Sequence, residues 1–129
     1  MIVVDCAAVV DALAGLDGTD RLRARLIAEE LHAPSLLDYE VVSALRGLTR
    51  GAHLDQARAF DLLTDFDDLP IRRWPAVDGL RRRAFQLRGQ LSAYDASYVA
   101  LAEALQCTLV TRDRRLGSAS GHDAKVEVR

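Results

Sequence analysis

The 129-residue chain is poor in cysteine, histidine and proline, with two, three and three of each, and has a single lysine, Lys125. Each shortage removes a class of explanation. Cys6 and Cys107 are far apart, without a second Cys or a His at metal-ligand spacing, and both sit among apolar residues. They read as small buried hydrophobes of a reduced, cytoplasmic protein, not as a disulfide framework or a zinc motif. His32, His53 and His122 are scattered, which leaves no set for His-based acid–base or zinc chemistry. No Ser/His/Asp arrangement and no Gly-x-x-x-x-Gly-Lys phosphate loop is present. Eight glycines and three prolines are too few for a collagen-like or low-complexity chain. The longest charge-free run, Ala104 to Thr111, is eight residues, against the roughly 20 apolar residues that a membrane-spanning helix needs. The start, Met1-Ile2-Val3-Val4-Asp5, has no basic region like that of a secretory signal.

Half of the residues are apolar and 28% are charged, enough for one buried core and a soluble surface. The formal net charge of −2 speaks against nucleic acid at first sight. Yet all but one of the 17 basic residues are arginine, the planar reader of phosphates and carboxylates. They cluster at 21–25, 72–73, 81–88 and 112–115.

The hydropathy pattern alternates between strands and helices. Ile2-Val3-Val4 reads as a buried strand ending at Asp5, with a short helix over Ala7 to Leu13. Helices are predicted over Thr19 to Leu31, Leu36 to Leu48 (closed by Gly51), Leu54 to Thr64 or beyond, and Val77 to Gln90. A strand begins near His32-Ala33 and another covers Leu69 to Trp74. Ser92 starts a helix that runs to Leu105, followed by a strand at Thr108 to Thr111. Gly117 to Gly121 is a loop, and Lys125 to Val128 a last strand. Residues 1–129 therefore form one α/β domain, doubly wound, with a mainly parallel central sheet flanked by helices.

In such a sheet the working site lies outside the carboxyl ends of the strands. Asp5 ends the first strand and Asp113 follows the strand Thr108 to Thr111. Glu40 and Asp95 lie in the first turns of helices that begin at the same edge. Asp38, two positions from Glu40, is turned about 200° away on its helix and cannot share that site. Taken singly, Asp5 can be a helix cap and Asp95 the acid of a capping box begun by Ser92. Asp113 can be a loop residue, and Glu40 a solvated border residue. Taken together, four acids within a few ångströms repel unless cations sit among them. Oxygen-only ligands suit Mg²⁺ or Mn²⁺, and metal-assisted chemistry on phosphate esters is the best fit.

Four segments carry a resemblance. They are Ile2-Val3-Val4-Asp5, Pro34-Ser35-Leu36-Leu37-Asp38-Tyr39-Glu40-Val41, the run Ser92 to Ala102 around Tyr94-Asp95-Ala96, and Leu109-Val110-Thr111-Arg112-Asp113. With these the chain resembles the PIN-domain ribonucleases of the VapC toxin type. The resemblance implies a metal-dependent endoribonuclease, the toxin of a type II toxin–antitoxin pair, acting on RNA, often tRNA or rRNA. It implies one or two Mg²⁺ or Mn²⁺ held by Asp5, Asp95 and Asp113, with Glu40 holding the metal or its water. Products with a 5′-phosphate and a 3′-hydroxyl are expected. Thr111 matches a hydroxyl common before the last aspartate, and Arg112, Arg114 and Arg115 could grip phosphate. A VapB-type antitoxin and a homodimer are the partners implied, with Leu22 and Leu26 as docking points or core. Ala7 departs from the family, which often has a hydroxyl residue there. The alternatives are a PIN fold weakened to a binding module and a receiver-like signalling domain. Asp5-Cys6 lacks the receiver's adjacent acids, and Asp5-Cys6-Ala7 lacks a phosphatase Asp-x-Asp.

Overall fold

The computed structural model describes all residues, 1–129. Their order is β1 (Ile2–Val4), α1 (Cys6–Ala14), α2 (Asp20–Ala28), β2 (Leu31–Pro34), α3 (Leu37–Arg50) and α4 (Gln56–Asp68). Then follow β3 (Ile71–Trp74), α5 (Asp78–Gln86), α6 (Ala93–Leu105), β4 (Thr108–Thr111), α7 (Arg114–Ser118) and β5 (Val126–Val128). The five strands form one sheet in the order β3-β2-β1-β4-β5, and every neighbouring pair is parallel. From β1 the chain winds outward through β2 to β3, then returns to the other side of β1 for β4 and β5. The sheet is therefore doubly wound, and the order reverses between β1 and β4. A receiver-type sheet runs 2-1-3-4-5, so that alternative fails on topology.

Parallel strands need covering on both faces, and this chain supplies apolar residues for both. Every residue of β1 and β2 is buried. α6 packs over β1, β2 and β4 with α5 beside it, while α1 packs on β4 and on α2, α3 and α4. Ile2, Val4, Leu31, Leu37, Leu101 and Leu109 are fully enclosed at the centre.

Local chemistry moves several of the expected boundaries. The helix expected to reach Leu31 stops at Ala28, because Leu31 pairs with both Ile2 and Ile71 in the sheet interior. The basic helix expected over Val77 to Gln90 covers Asp78–Gln86. Part of the loop expected at Gly117 to Gly121 is helix α7, begun by Asp113, whose side chain accepts from the Arg115 N–H. A Cβ on Gly117 would stand 2.6 Å from Val128 Cγ2, so glycine lets α7 approach β5. Gly51 ends α3 without a left-handed turn (φ −81°), and Ala52 carries the positive φ of 57° instead. Leu22 and Leu26 are buried, which makes them core and removes them as docking points.

Candidate active site

The reversal between β1 and β4 leaves a crevice at the carboxyl ends of these two strands, where doubly wound sheets place their ligands. Asp5 stands at its floor. It leaves β1 in extended conformation and caps α1, its Oδ1 accepting from the Ala8 N–H at 2.9 Å. Its Oδ2 accepts a hydrogen bond from the hydroxyl of Thr111, the fully buried last residue of β4. Thr111 Oγ1 in turn accepts from the Asp113 N–H at 2.9 Å. A chain of bonds thus ties the two strand ends together. Burial lifts the Asp5 carboxyl from 3.8 to about 6. The bonds from Thr111 and Ala8 pull it down, while the negative charges of Asp95 and Glu40 push it further up.

Glu40 enters from the first turns of α3. Tyr98, one turn into α6, donates its hydroxyl to Glu40 Oε1 at 2.6 Å. Burial raises the Glu40 carboxyl, the Tyr98 bond lowers it, and the Asp95 charge raises it. Asp95 lies one turn before Tyr98 on α6, positioned by Ser92, whose Oγ accepts from the Asp95 N–H at 3.2 Å. The reciprocal half of a capping box is not made, so the Asp95 carboxylate is left to the cleft. Asp113 faces the same cleft from β4, but the Arg115 guanidinium grips it at 2.8 and 3.2 Å. That fork holds its carboxyl below the ordinary range. All four acids line one cleft of about 400 Å³.

A family model for the PIN domain matches residues 2–121. Ribonuclease VapC9 of Mycobacterium tuberculosis is 48% identical over 116 residues, 90% of this chain and 88% of the relative. Ribonuclease VapC12 of the same organism is 36% identical over 128 residues, 99% of this chain and 98% of the relative. The chain belongs to the PIN-domain family of VapC ribonucleases. Among solved structures, VapBC2 from Rickettsia felis, bound to a DNA fragment from its promoter, matches with a TM-score of 0.71. That match covers 99% of this chain and 98% of the other at 14% identity, and it speaks for the fold alone.

Two features of the site qualify how its acids and arginines stand. The first concerns how closely the acids gather. No three His, Cys, Asp or Glu side chains stand close enough to ligate a single ion. Asp113 is drawn to Arg115 and Asp5 to Thr111, so the four acids share a cleft without closing on one point. The second concerns the arginines. Arg112 pairs with Asp11 at 2.7 Å, Arg73 with Asp38 at 2.9 Å and Arg83 with Glu103 at 2.9 Å. Arg81 and Arg82 both reach Asp78. Most of the clustered arginines are thus held by acids of this chain, and among those after β4 only Arg114 forms no ion pair.

The donor set nonetheless suits a hard divalent cation. The cleft offers carboxylate oxygens and no imidazole: His32 is buried in β2 between Glu30 and Trp74, bonded to both. A cation would also relieve the repulsion that Asp95 and Glu40 exert on buried Asp5. Cys6 lines the cleft as well, but burial pushes its thiol up to about 12 and keeps it protonated at neutral pH. Sequence reasoning missed Tyr98 and Asp11. Tyr98 has a legible signal: it lies three positions after Asp95 on one helical face. Asp11 has none, since its partner Arg112 is brought to it by the sheet.

Proposed function

We propose that this PIN-domain chain is a metal-dependent endoribonuclease, the toxin of a type II toxin–antitoxin pair. It hydrolyses phosphodiester bonds in RNA, tRNA or rRNA by its family resemblance, and acts in the cytoplasm. The observation that carries this reading is the meeting of Asp5, Glu40, Asp95 and Asp113 in one cleft at the switch point of the sheet. The names of the VapC relatives point to RNA as the substrate.

Asp5, Asp95 and Asp113 would hold Mg²⁺ or Mn²⁺, with Asp113 first released from Arg115. The bound ion supplies positive charge that draws in the phosphodiester and makes water more acidic. Glu40, with its raised pKa and its Oε1 fixed by Tyr98, takes the proton of the attacking water. The water oxygen bonds to phosphorus as the bond to the 3′-oxygen breaks. The departing 3′-oxygen takes a proton from solvent while Glu40 returns its own to water, which leaves a 5′-phosphate and a 3′-hydroxyl. Arg114 and the freed Arg115 offset charge on the phosphate oxygens. Arg112 acts as a positioning residue, its pair with Asp11 tying the turn after β4 to α1. Thr111 positions Asp5 and Asp113 together. Ala7 lines the cleft without a hydroxyl, which removes one donor to water or metal there. A VapB-type antitoxin would block this cleft with an arginine, a charge-complementary ligand for clustered carboxylates. The active form is a homodimer.

The test incubates purified protein with total RNA, with and without Mg²⁺ or Mn²⁺, beside Asp95→Asn. Cleavage by the wild type, only with metal, is expected, and none by the variant. Equal behaviour of the two proteins overturns the catalytic assignment. RNA bound but left uncut assigns the chain to the weakened binding fold.

A further inference from the structure

Of the chain's three tyrosines, Tyr98 is buried against Glu40, whereas Tyr39 is 83% exposed and Tyr94 65% exposed. Exposure of an aromatic ring alone means little. The placement of these two is more specific. Tyr39 immediately precedes Glu40 in α3, and Tyr94 immediately precedes Asp95 in α6. Tyr94 also lies four positions before Tyr98, on the α6 face that reaches Glu40. The starts of α3 and α6 are held side by side, since Leu36 shares an apolar groove with Ala93 and Ser97 beside the Tyr98–Glu40 bond. Each exposed ring therefore lies one residue before a carboxylate of the cleft, at the start of one of two helices joined by the Tyr98–Glu40 bond. Arg88 lines the same groove; it makes no ion pair and lies over the exposed Phe85 ring at 4.4 Å. A guanidinium without an ion pair, in a groove that includes Ala93 next to exposed Tyr94, matches the requirements of a single-stranded nucleic acid. Bases stack on rings irrespective of sequence, and the backbone follows positive charge.

We propose that Tyr39 and Tyr94 form a stacking platform for the bases of single-stranded RNA entering the acidic cleft, with Arg88 taking a backbone phosphate beside it. The proposal rests on the ribonuclease reading for its substrate class. Loss of both rings raises KM and leaves kcat nearly unchanged, because the platform holds ground state and transition state alike. A duplex, whose bases are already stacked, gains nothing from the platform.

The test measures fluorescence anisotropy of a labelled ten-nucleotide single-stranded RNA, and of an abasic strand of the same length, with the full chain in chelator. Replacing Tyr39 and Tyr94 together by Leu is expected to weaken binding of the base-bearing strand by about tenfold or more. Tyr39→Phe with Tyr94→Phe should retain it, and the abasic strand should be insensitive to both pairs. Arg88→Gln should weaken both strands equally. Unchanged affinity in the Leu pair overturns the proposal, as does equal wild-type affinity for the two strands. A wild-type dimer that falls apart in the Leu pair, seen by size exclusion, assigns the rings to a contact between copies and also overturns it. Ring-dependent binding without cleavage refutes the nuclease reading and leaves the platform standing. Cleavage with an unchanged KM in the Leu pair does the reverse.

Discussion

Asp5 is the costliest acid of the cleft, and its cost can be read out by changing it. In the metal-free protein its carboxyl titrates near 6 instead of 3.8. At about 1.36 kcal/mol per pH unit, ionised Asp5 destabilises the fold at pH 7 by about 3 kcal/mol. A folded-state pKa above the unfolded value gives stability that is complete below 3.8 and is lost as pH rises through about 6. Asp5→Asn removes the charge and keeps the cap, since the amide oxygen can still accept from the Ala8 N–H. It does cost the Thr111 hydroxyl its acceptor, and an unsatisfied buried donor is worth about 1 kcal/mol or more. The two terms leave Asp5→Asn more stable by about 2 kcal/mol at pH 7.5.

The assay is urea unfolding of both proteins in chelator, from pH 4 to pH 8. The difference should be about 2 kcal/mol in favour of the variant above pH 7 and should shrink as pH falls through about 6. Near pH 4 it should vanish or change sign, because only the lost Thr111 bond then remains. A variant that is no more stable than the wild type at pH 7.5 refutes the electrostatic account. So does a difference that stays constant with pH, which would point to packing.

Adding Mn²⁺ at about a hundred times its dissociation constant should stabilise the wild type at pH 7.5 by about 2.7 kcal/mol, read as a rise in Tm that chelator reverses. Asp5→Asn should show a much smaller rise. Tyr98→Phe removes the donor that holds the Glu40 carboxyl down. The rising limb of the pH–cleavage profile should therefore move to higher pH, with a stability loss of about 1 kcal/mol by urea titration. Leu109→Ala, at the enclosed centre of β4, should cost about 2–5 kcal/mol and lower the urea midpoint without altering the slope.

The parallel, doubly wound sheet and the edge that carries the acids were legible because both rest on local signals; the strand order was not. Short β-branched runs alternating with amphipathic segments imply parallel strands. An acid just past a strand, or in the first turn of the next helix, must then lie at the carboxyl edge. Asp5, Glu40, Asp95 and Asp113 needed nothing further to be placed there. What escaped was whatever depends on partners distant in sequence. Tyr98 takes its role only where α3 brings Glu40 to its hydroxyl. Arg112 reads as a phosphate grip until β4 carries it to Asp11 on α1. Leu31 reads as the end of a helix until the sheet claims it on two sides. Arg115 is the exception, because its acid is two residues away. The fork on Asp113 needs only a short helix at Arg114–Ser118, where the glycines suggest a loop.

The same geometry explains why a net charge of −2 says little about the cleft. Electrostatic work depends on where the uncompensated charges lie. Arg73, Arg81, Arg82, Arg83 and Arg112 are cancelled locally, by Asp38, Asp78, Glu103 and Asp11. The carboxylates of Asp5, Glu40 and Asp95 have no cationic partner, and two of them sit in surroundings that penalise ionisation. A fold that tolerates about 3 kcal/mol of strain at one aspartate, within a total stability of roughly 5–15 kcal/mol, has kept a site it would be more stable without. A cation relieves that strain. Arg115 already supplies one positive charge to Asp113, but from a position 87% exposed, where solvent screens the pair. Such a pair is weak enough for a divalent ion to displace. In the proposed reaction Arg115 would then turn from its own carboxylate to the phosphate of a bound strand.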